Sequence, residues 1–133
     1  MASSDEFRIA IHGKGAHGAM PHLGVGPVPI ACEMVQAFQT IISRNRNPLD
    51  AAVISVTMIH SGEATKVIPD RCELRGTVRA FSVAALDLIE RRMKQIAGHL
   101  CAAHDAKCEF EFVRKGPPVV NSVPEAEFAR PVM

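Results

Sequence analysis

Two segments of this chain carry apolar residues at helical spacing on one side only, and this pattern most constrains the fold. In the segment from Val28 to Ser43, and again from Ser82 to Leu100, apolar side chains recur every three or four residues. Ser82 is suited to cap the second helix, because its hydroxyl can accept a hydrogen bond from an unpaired helical amide. Two helices with one apolar stripe each predict a sheet that carries both helices on the same face.

Four other segments show the alternation of β-strands with a buried face. They cover residues 7–12, 51–59, 72–80 and 108–112, so that the helices follow the first and third strands. The order β-α-β-β-α-β is typical of an α+β, two-layer ferredoxin-like sandwich, in which a four-stranded antiparallel sheet carries two helices on one face. Many unrelated proteins share this order, so it leaves the function open.

The second strand is predicted to lie at an edge of the sheet, yet residues 52–59 contain no charge and no proline. Simple alternation divides its apolar side chains between two faces: Val53 and Ile59 on one, and Ile54, Val56 and Met58 on the other. Proteins normally protect an edge strand with charged residues or proline. We therefore predict that a second copy of the chain pairs with this edge and forms a homodimer.

Composition excludes several classes of protein. The 133 residues are 47% hydrophobic and 22% charged, which is typical of one folded domain. A net charge of +1 removes the electrostatic basis for nucleic-acid binding. No apolar run approaches the ~20 residues of a membrane span, and no signal peptide is recognisable. We expect a cytoplasmic protein that binds neither nucleic acid nor membrane, with its four cysteines buried as free thiols.

The segment from Gly13 to His22 contains three glycines and a proline, and is predicted to be a sharply turning loop. Together with His12 it holds three histidines, which fit exposed loop residues, metal ligands or hydrogen-bond donors to a substrate. The metal interpretation is weak, because the loop contains no acidic residue. The glycine spacing resembles a dinucleotide-binding fingerprint, but the next helix begins about ten residues after the last glycine instead of directly after it.

The polar face of the third strand carries Arg75 and Arg79. Arg75 is interpreted as a solvated residue that pairs with Glu73 or Glu109. Arg79 lies near the strand end, where its guanidinium could bind a carboxylate through two parallel hydrogen bonds. The residues themselves show no arrangement of nucleophile, histidine and acid, so no catalytic centre is predicted from them alone.

Four sequence motifs follow one another along the chain: GKGAHGAMPH at 13–22, AVISV at 52–56, GEATKVIPD at 62–70 and LRGTVR at 74–79. In this order they resemble the bacterial aminoacylase/hippurate hydrolase family. That family consists of dinuclear-metal amidohydrolases related to carboxypeptidase G and succinyl-diaminopimelate desuccinylase. The resemblance extends from Phe7 to Pro118, and it covers only the family's dimerisation domain, also called the lid, which has the sandwich fold described above.

The resemblance implies roles for individual residues. His17 matches a lid histidine that reaches the partner subunit's active site and donates a hydrogen bond to the oxyanion of the tetrahedral intermediate. Arg79 matches the arginine that holds the substrate's carboxylate in that same site. Lys66, His22 and Gly15 are implied to contact the substrate, although Lys66 replaces the asparagine that is usual in the family.

The resemblance also implies a dimer face and a division of the chain. The dimer face consists of the 52–59 strand and the 28–43 helix. Residues 1–6 would be a leading segment and residues 7–118 the dimerisation domain, whereas residues 119–133 would be the truncated start of a returning catalytic segment. In this family Gly26 would usually be an aspartate.

The chemistry of the family implies a parent enzyme that uses a metal-activated water to hydrolyse N-acyl amino acids such as hippurate. Its two divalent metals, zinc or manganese, and its general base belong to a separate catalytic domain. We therefore expect no metal or other cofactor in this chain, and no activity from the chain alone.

Two binding modules share the predicted order of elements. An ACT-type regulatory module would also pair edge to edge, and would bind an amino acid at the dimer interface without chemistry. An RNA-binding sheet of the RRM type needs aromatic residues on its first and third strands, where this chain has Arg8, Ala10, Glu73 and Thr77. The motifs favour the lid domain over both modules.

Overall fold

The computed structural model describes residues 1–119, so residues 120–133 of the expected returning segment lie outside it. The main sheet is antiparallel and has the spatial order β3-β5-β1-β6. These strands are β1 (Asp5–His12), β3 (Ala52–Ser61), β5 (Arg71–Ala80) and β6 (Lys107–Arg114). Two short strands, β2 (Ala16–His17) and β4 (Val67–Ile68), form a separate ribbon, and the helices are α1 (Pro27–Thr40) and α2 (Val83–Ala103). The predicted α+β ferredoxin-like sandwich is confirmed.

Local sequence signals explain where the helices begin and end. Helix α2 starts as predicted, because the Ser82 hydroxyl accepts a hydrogen bond from the Ala85 N–H at 3.1 Å. Its C-terminus is closed by Asp105, which has a positive φ of 59°, and by an Ala106 N–H that donates to the Cys101 carbonyl at 2.8 Å. Helix α1 continues into one π-helical turn, residues 41–45. Neither α1 nor α2 has the length and hydrophobicity needed to cross a lipid bilayer.

The core lies between the helices and one face of the sheet. Phe7 of β1 and Phe38 of α1 meet there edge to face, with their ring centroids 6.2 Å apart. The Phe7 ring fills the space above Gly76 of β5, where an added Cβ would lie 2.8 Å from the ring atom Cε1. Within residues 1–119 the opposite face of the sheet carries no helix, and we refer to it as the open face.

Strand β3 differs from its prediction because an extra residue interrupts the alternation. Its register against β5 shifts at Thr57, which forms a β-bulge. Beyond the bulge, Ile59 lies on the helix side with Ile54, whereas Met58 lies on the open face with Val53. The predicted division of these side chains between two faces is therefore wrong from Met58 onward.

The cysteines also differ in part from expectation. All four are free thiols, and Cys72 and Cys101 are buried as predicted. Burial raises the pKa of the Cys72 thiol, which keeps it protonated and unreactive. Cys108 is half-buried and Cys32 is exposed, because Cys32 lies on the solvent side of α1.

Candidate functional site

The loop of residues 13–22, here called the histidine loop, is held against the hairpin of residues 62–70 that joins β3 to β5. Strand β2 of the loop pairs with strand β4 of the hairpin, and this pairing sets His17 opposite Val67. The next residue, Gly18, donates its N–H to the Lys66 carbonyl at 2.7 Å. On the other side of the loop, Lys14 exchanges two backbone hydrogen bonds with Val25, at 2.8 and 2.9 Å. The loop is therefore fixed by main-chain bonds on both sides.

His17 is exposed on this loop, and one hydrogen bond orients its ring. The Nδ1 atom of His17 accepts a hydrogen bond from the Ala19 N–H at 3.0 Å. A ring nitrogen that accepts a hydrogen bond carries no proton, so the neutral imidazole holds its proton on Nε2. The Nε2–H group is therefore the donor that the loop presents to a ligand, which is the arrangement an oxyanion donor requires.

Gly15 uses its backbone amide within the protein. Its N–H donates to Oδ1 of Asp70 at 2.6 Å, and the Gly13 N–H donates to the Asp70 carbonyl oxygen at 2.8 Å. The implied contact of Gly15 with a substrate therefore cannot use this amide. Sequence reasoning did not single out Asp70, although an acidic residue at the end of a loop is a common acceptor for backbone amides.

Lys66 and His22 lie at the same end of the domain as His17. Lys66 is in the turn before β4, and His22 is in a single 3-10 turn, Pro21–Leu23. Both residues are exposed, and within residues 1–119 no hydrogen bond joins either side chain to His17. The structure thus places both residues at the same end of the domain as His17, with neither side chain bonded to its ring.

Arg79 lies at the opposite end of the sheet. It pairs with Val53 across β3 and β5, in a cleft of about 510 Å³ that Arg46, Leu49 and Phe81 also line. Strand β5 begins beside the histidine loop at Arg71, and at 3.4 Å per residue its length from there to Arg79 is about 27 Å. The structure therefore does not bring Arg79 together with His17 within one chain.

A network of ion pairs lies on the open face along the first half of β5. Glu73 lies 2.5 Å from Arg75, 2.8 Å from Arg71 and 3.2 Å from Arg8, so one of the two predicted partners of Arg75 is found. The hydrogen bond from Arg75 holds the pKa of the Glu73 carboxyl below its ordinary value. This network lies between the histidine loop and Arg79, and it contains neither His17 nor Arg79.

The residues that the structure describes do not fit a dinuclear metal centre. Within residues 1–119, no three His, Cys, Asp or Glu side chains are placed to share one ion. His12 lies 3.2 Å from Glu109 on the open face, while His17 and His22 occupy different parts of the histidine loop. No chemical step is therefore assigned to a metal held by these residues.

Comparison with known proteins gives a consistent result for the whole domain. The chain is 38% identical over 121 residues to N-acetyl-L-cysteine deacetylase of Bacillus subtilis, covering 91% of this chain and 29% of that protein. It is 40% identical over 121 residues to N-acyl-L-amino acid amidohydrolase of Geobacillus stearothermophilus, covering 91% of this chain and 33% of that protein. This chain therefore spans about a third of the length of these relatives.

A solved structure and a family model agree with these relatives. A dinuclear metal binding peptidase of the M20 family from Bacillus subtilis superposes with a TM-score of 0.75 and 29% identity, covering 98% of this chain and 31% of that chain. The model of the peptidase dimerisation domain matches residues 3–105. Because this match includes most of the chain and every element from β1 to α2, the chain belongs to the peptidase dimerisation domain family.

Proposed function

We propose that this chain is the dimerisation and lid domain of a cytoplasmic, metal-dependent amidohydrolase that removes the acyl group from N-acyl amino acids, in the manner of a hippurate hydrolase. The observation that carries the proposal is the oriented ring of His17, whose Nδ1 is bound by Ala19 so that Nε2–H is the donor. When water adds to an amide carbonyl, its oxygen becomes an oxyanion, and a donor that is already oriented stabilises this charge. The names of the deacetylase and amidohydrolase relatives support this substrate class.

The distance between His17 and Arg79 argues that each active site contains residues from two subunits. One small substrate cannot bridge about 27 Å of β5. If β3 pairs with its own copy about a two-fold axis, the two strands run antiparallel, and the Arg79 end of one subunit lies beside the histidine loop of the other. We therefore assign His17 and Arg79 of each site to different subunits, whereas the sequence analysis expected one chain to supply both residues to its partner.

The exposed surface of β3 supports this homodimer. Val53, Met58 and Ile59 are between 45% and 56% exposed, although large apolar side chains are normally covered. Val28 of α1 is also partly exposed, at 40%. In the proposed dimer, the 52–59 strand and the 28–43 helix bury these side chains, and Arg79 binds the carboxylate of the substrate through two parallel hydrogen bonds.

The metals of the enzyme, zinc or manganese, belong in this proposal to a catalytic domain outside the chain. That domain also supplies the general base, so the 133-residue chain alone is inactive. A rate of N-acyl amino acid hydrolysis by the purified chain that survives controls for contaminating enzymes would contradict this part of the proposal.

The test of the shared active site is complementation between two variants of the complete amidohydrolase subunit. His17→Ala should lower turnover by about 10²–10³-fold, because one oxyanion donor is lost, and Arg79→Ala should weaken substrate binding. In a random mixture, half of the dimers are heterodimers with one complete site each, so activity should return to about one quarter of the wild-type value. A mixture that remains as inactive as its components would show that both residues act from the same chain.

If the chain were instead an amino-acid-binding module of ACT type, calorimetry of the isolated chain with free amino acids should show binding at the dimer interface. For a lid domain we expect no heat of binding, because the catalytic domain that completes the site is missing.

A further inference from the structure

We propose that Asp70 is a positioning residue for His17, and that its carboxylate holds the histidine loop in the conformation that presents the imidazole. This inference rests on the proposed role of His17 as a hydrogen-bond donor. It adds a residue that acts through the loop and does not itself touch the substrate.

Asp70 binds the histidine loop at two points. Its main-chain oxygen accepts the Gly13 N–H at 2.8 Å, which extends the pairing of β1 with β5 by one residue. Its side-chain Oδ1 accepts the Gly15 N–H at 2.6 Å. A hydrogen bond to an ionised carboxylate is shorter and stronger than one between neutral groups. The carboxylate therefore fixes the loop at the point where it leaves the main sheet.

The close approach of the carboxylate requires a glycine at position 15. An added Cβ there would lie 2.8 Å from Oδ1 of Asp70 and 2.9 Å from the Ile68 carbonyl oxygen, closer than real Cβ atoms approach their neighbours. Any other residue would displace either Asp70 or strand β4. Gly15 and Asp70 thus form a matched pair, in which the glycine leaves the space that the carboxylate occupies.

The hydrogen bond at Gly15 constrains the position of His17, because both residues belong to a short closed ring of backbone. Gly15 lies two residues before His17, and Val67, which pairs with His17, lies three residues before Asp70. The ring closes where the Asp70 carboxylate meets the Gly15 amide. Among the bonds that residues 1–119 make to hold this ring, only the bond to the Asp70 carboxylate involves a side chain. Removing it therefore frees one side of the ring and leaves the backbone pairing in place.

The simple alternative is that Asp70 is a solvated surface carboxylate, because the residue is exposed. Glu63 offers a comparison within the same hairpin. Both residues line a cleft of about 430 Å³, and Glu63 is exposed as well. Within residues 1–119, however, the Glu63 carboxylate makes no hydrogen bond or ion pair, whereas that of Asp70 binds the loop. Glu63 is therefore the matched control for loss of a charge at this place.

The experiment measures two loop signals by NMR in the 133-residue chain and its Asp70→Ala, Asp70→Asn and Glu63→Gln variants. The first signal is the hydrogen-exchange rate of the Gly15 amide, and the second is the pair of ¹⁵N shifts of the His17 ring, which report its tautomer. Asp70→Ala should raise the Gly15 exchange rate about tenfold or more and average the two His17 tautomers. Asp70→Asn keeps a neutral acceptor and should give a smaller increase, while Glu63→Gln should change neither signal.

A folded Asp70→Ala variant with an unchanged His17 ring would overturn the proposal, whatever its Gly15 exchange rate, and so would an equal response to Glu63→Gln. If Asp70→Ala does not fold, Asp70→Asn decides alone, because a changed His17 ring supports the proposal and an unchanged ring overturns it. Neither signal depends on turnover. A failure here is therefore distinguishable from failure of the proposed function, which the complementation experiment tests separately.

Discussion

The two ends of the four-stranded sheet are built in opposite ways. At one end, the histidine loop is closed by main-chain hydrogen bonds and by the Asp70 carboxylate, and the His17 ring is oriented by Ala19. At the other end, Arg79 lies in an open cleft, and within residues 1–119 it takes part in no ion pair. Its neighbour Arg46 donates instead to main-chain carbonyls of the following loop.

This difference matches the chemistry that we propose for each end. A donor to a developing oxyanion is effective only if it is in place before the charge forms, because reorganising it would cost part of the gain. A guanidinium that binds a carboxylate can be ordered by the substrate itself, since the bidentate geometry is completed on binding. In the proposed dimer, one chain thus offers a donor that is already oriented and an arginine that the substrate orders, and pairing of β3 would bring the two together in one site.

The largest effect is expected for a substitution on β3, because the proposed site depends on the pairing of this edge strand with a second copy. Ile59→Asp should raise the dimer dissociation constant about thirtyfold or more, as expected for an interface residue worth about 2 kcal/mol. Light scattering across a dilution series measures this change in the isolated chain. Val113→Asp is the matched control, because Val113 is 53% exposed on the opposite edge strand β6, and Ile59 is 51% exposed. Equal weakening by both variants, or by neither, would contradict pairing through β3.

A smaller effect, on the KM of the complete enzyme, is expected for Arg79 and should distinguish its role in substrate binding from the role of His17 in the chemical step. Arg79→Lys keeps the charge but loses the bidentate geometry, so KM should rise about tenfold while kcat changes little. Steady-state kinetics of the complete enzyme with an N-acyl amino acid test this expectation. An amide that lacks the carboxylate serves as the control substrate, and the variant should hydrolyse it as the wild type does. A fall in kcat without a change in KM would instead place Arg79 in the chemical step.

Features that depend on neighbours along the chain were predictable from the sequence. The Ser82 cap and both helices follow from local spacing, and the order of elements predicted that the second strand of the main sheet, β3, lies at an edge. The bulge at Thr57 was not predictable, because it is a property of the pairing between β3 and β5. The pattern of apolar residues along β3 does not indicate it.

The arrangement of the candidate site was even less predictable from the sequence than the bulge. The bond between Gly15 and Asp70 joins residues 55 positions apart, so no spacing rule reveals it. From the motifs we expected one chain to supply both His17 and Arg79 to a single site. The order of motifs along the chain, however, carries no information about the distance between these residues in the folded domain. The register of β5 against β1 and β3 places the histidine loop beside the first residue of β5, and Arg79 near its last residue.

The smallest effect is expected at Glu73, in the ion-pair network that lies between the histidine loop and Arg79. The hydrogen bond from Arg75 holds the pKa of the Glu73 carboxyl below its ordinary value of 4.5, so the folded state favours the ionised form of Glu73. The stabilisation is therefore complete above that ordinary value, and it is lost as the pH falls through the lowered pKa. Since solvent screens ion pairs on the open face, Glu73→Gln should lower the free energy of unfolding by about 1 kcal/mol or less at pH 7, and by less in acid.

Urea unfolding between neutral and acidic pH measures this difference in the isolated chain. Glu111→Gln is the control, because Glu111 is 63% exposed and lies 3.8 Å from Arg8, so its effect should be smaller still. A loss of stability that did not change with pH would show that Glu73 acts by packing and not through its charge. Since the ion pairs of Glu73 connect only β1 and β5, neither the dimer dissociation constant nor the His17 ring should respond to its replacement. Glu73 would then stabilise the sheet without taking part in the roles that we propose for His17 and Arg79.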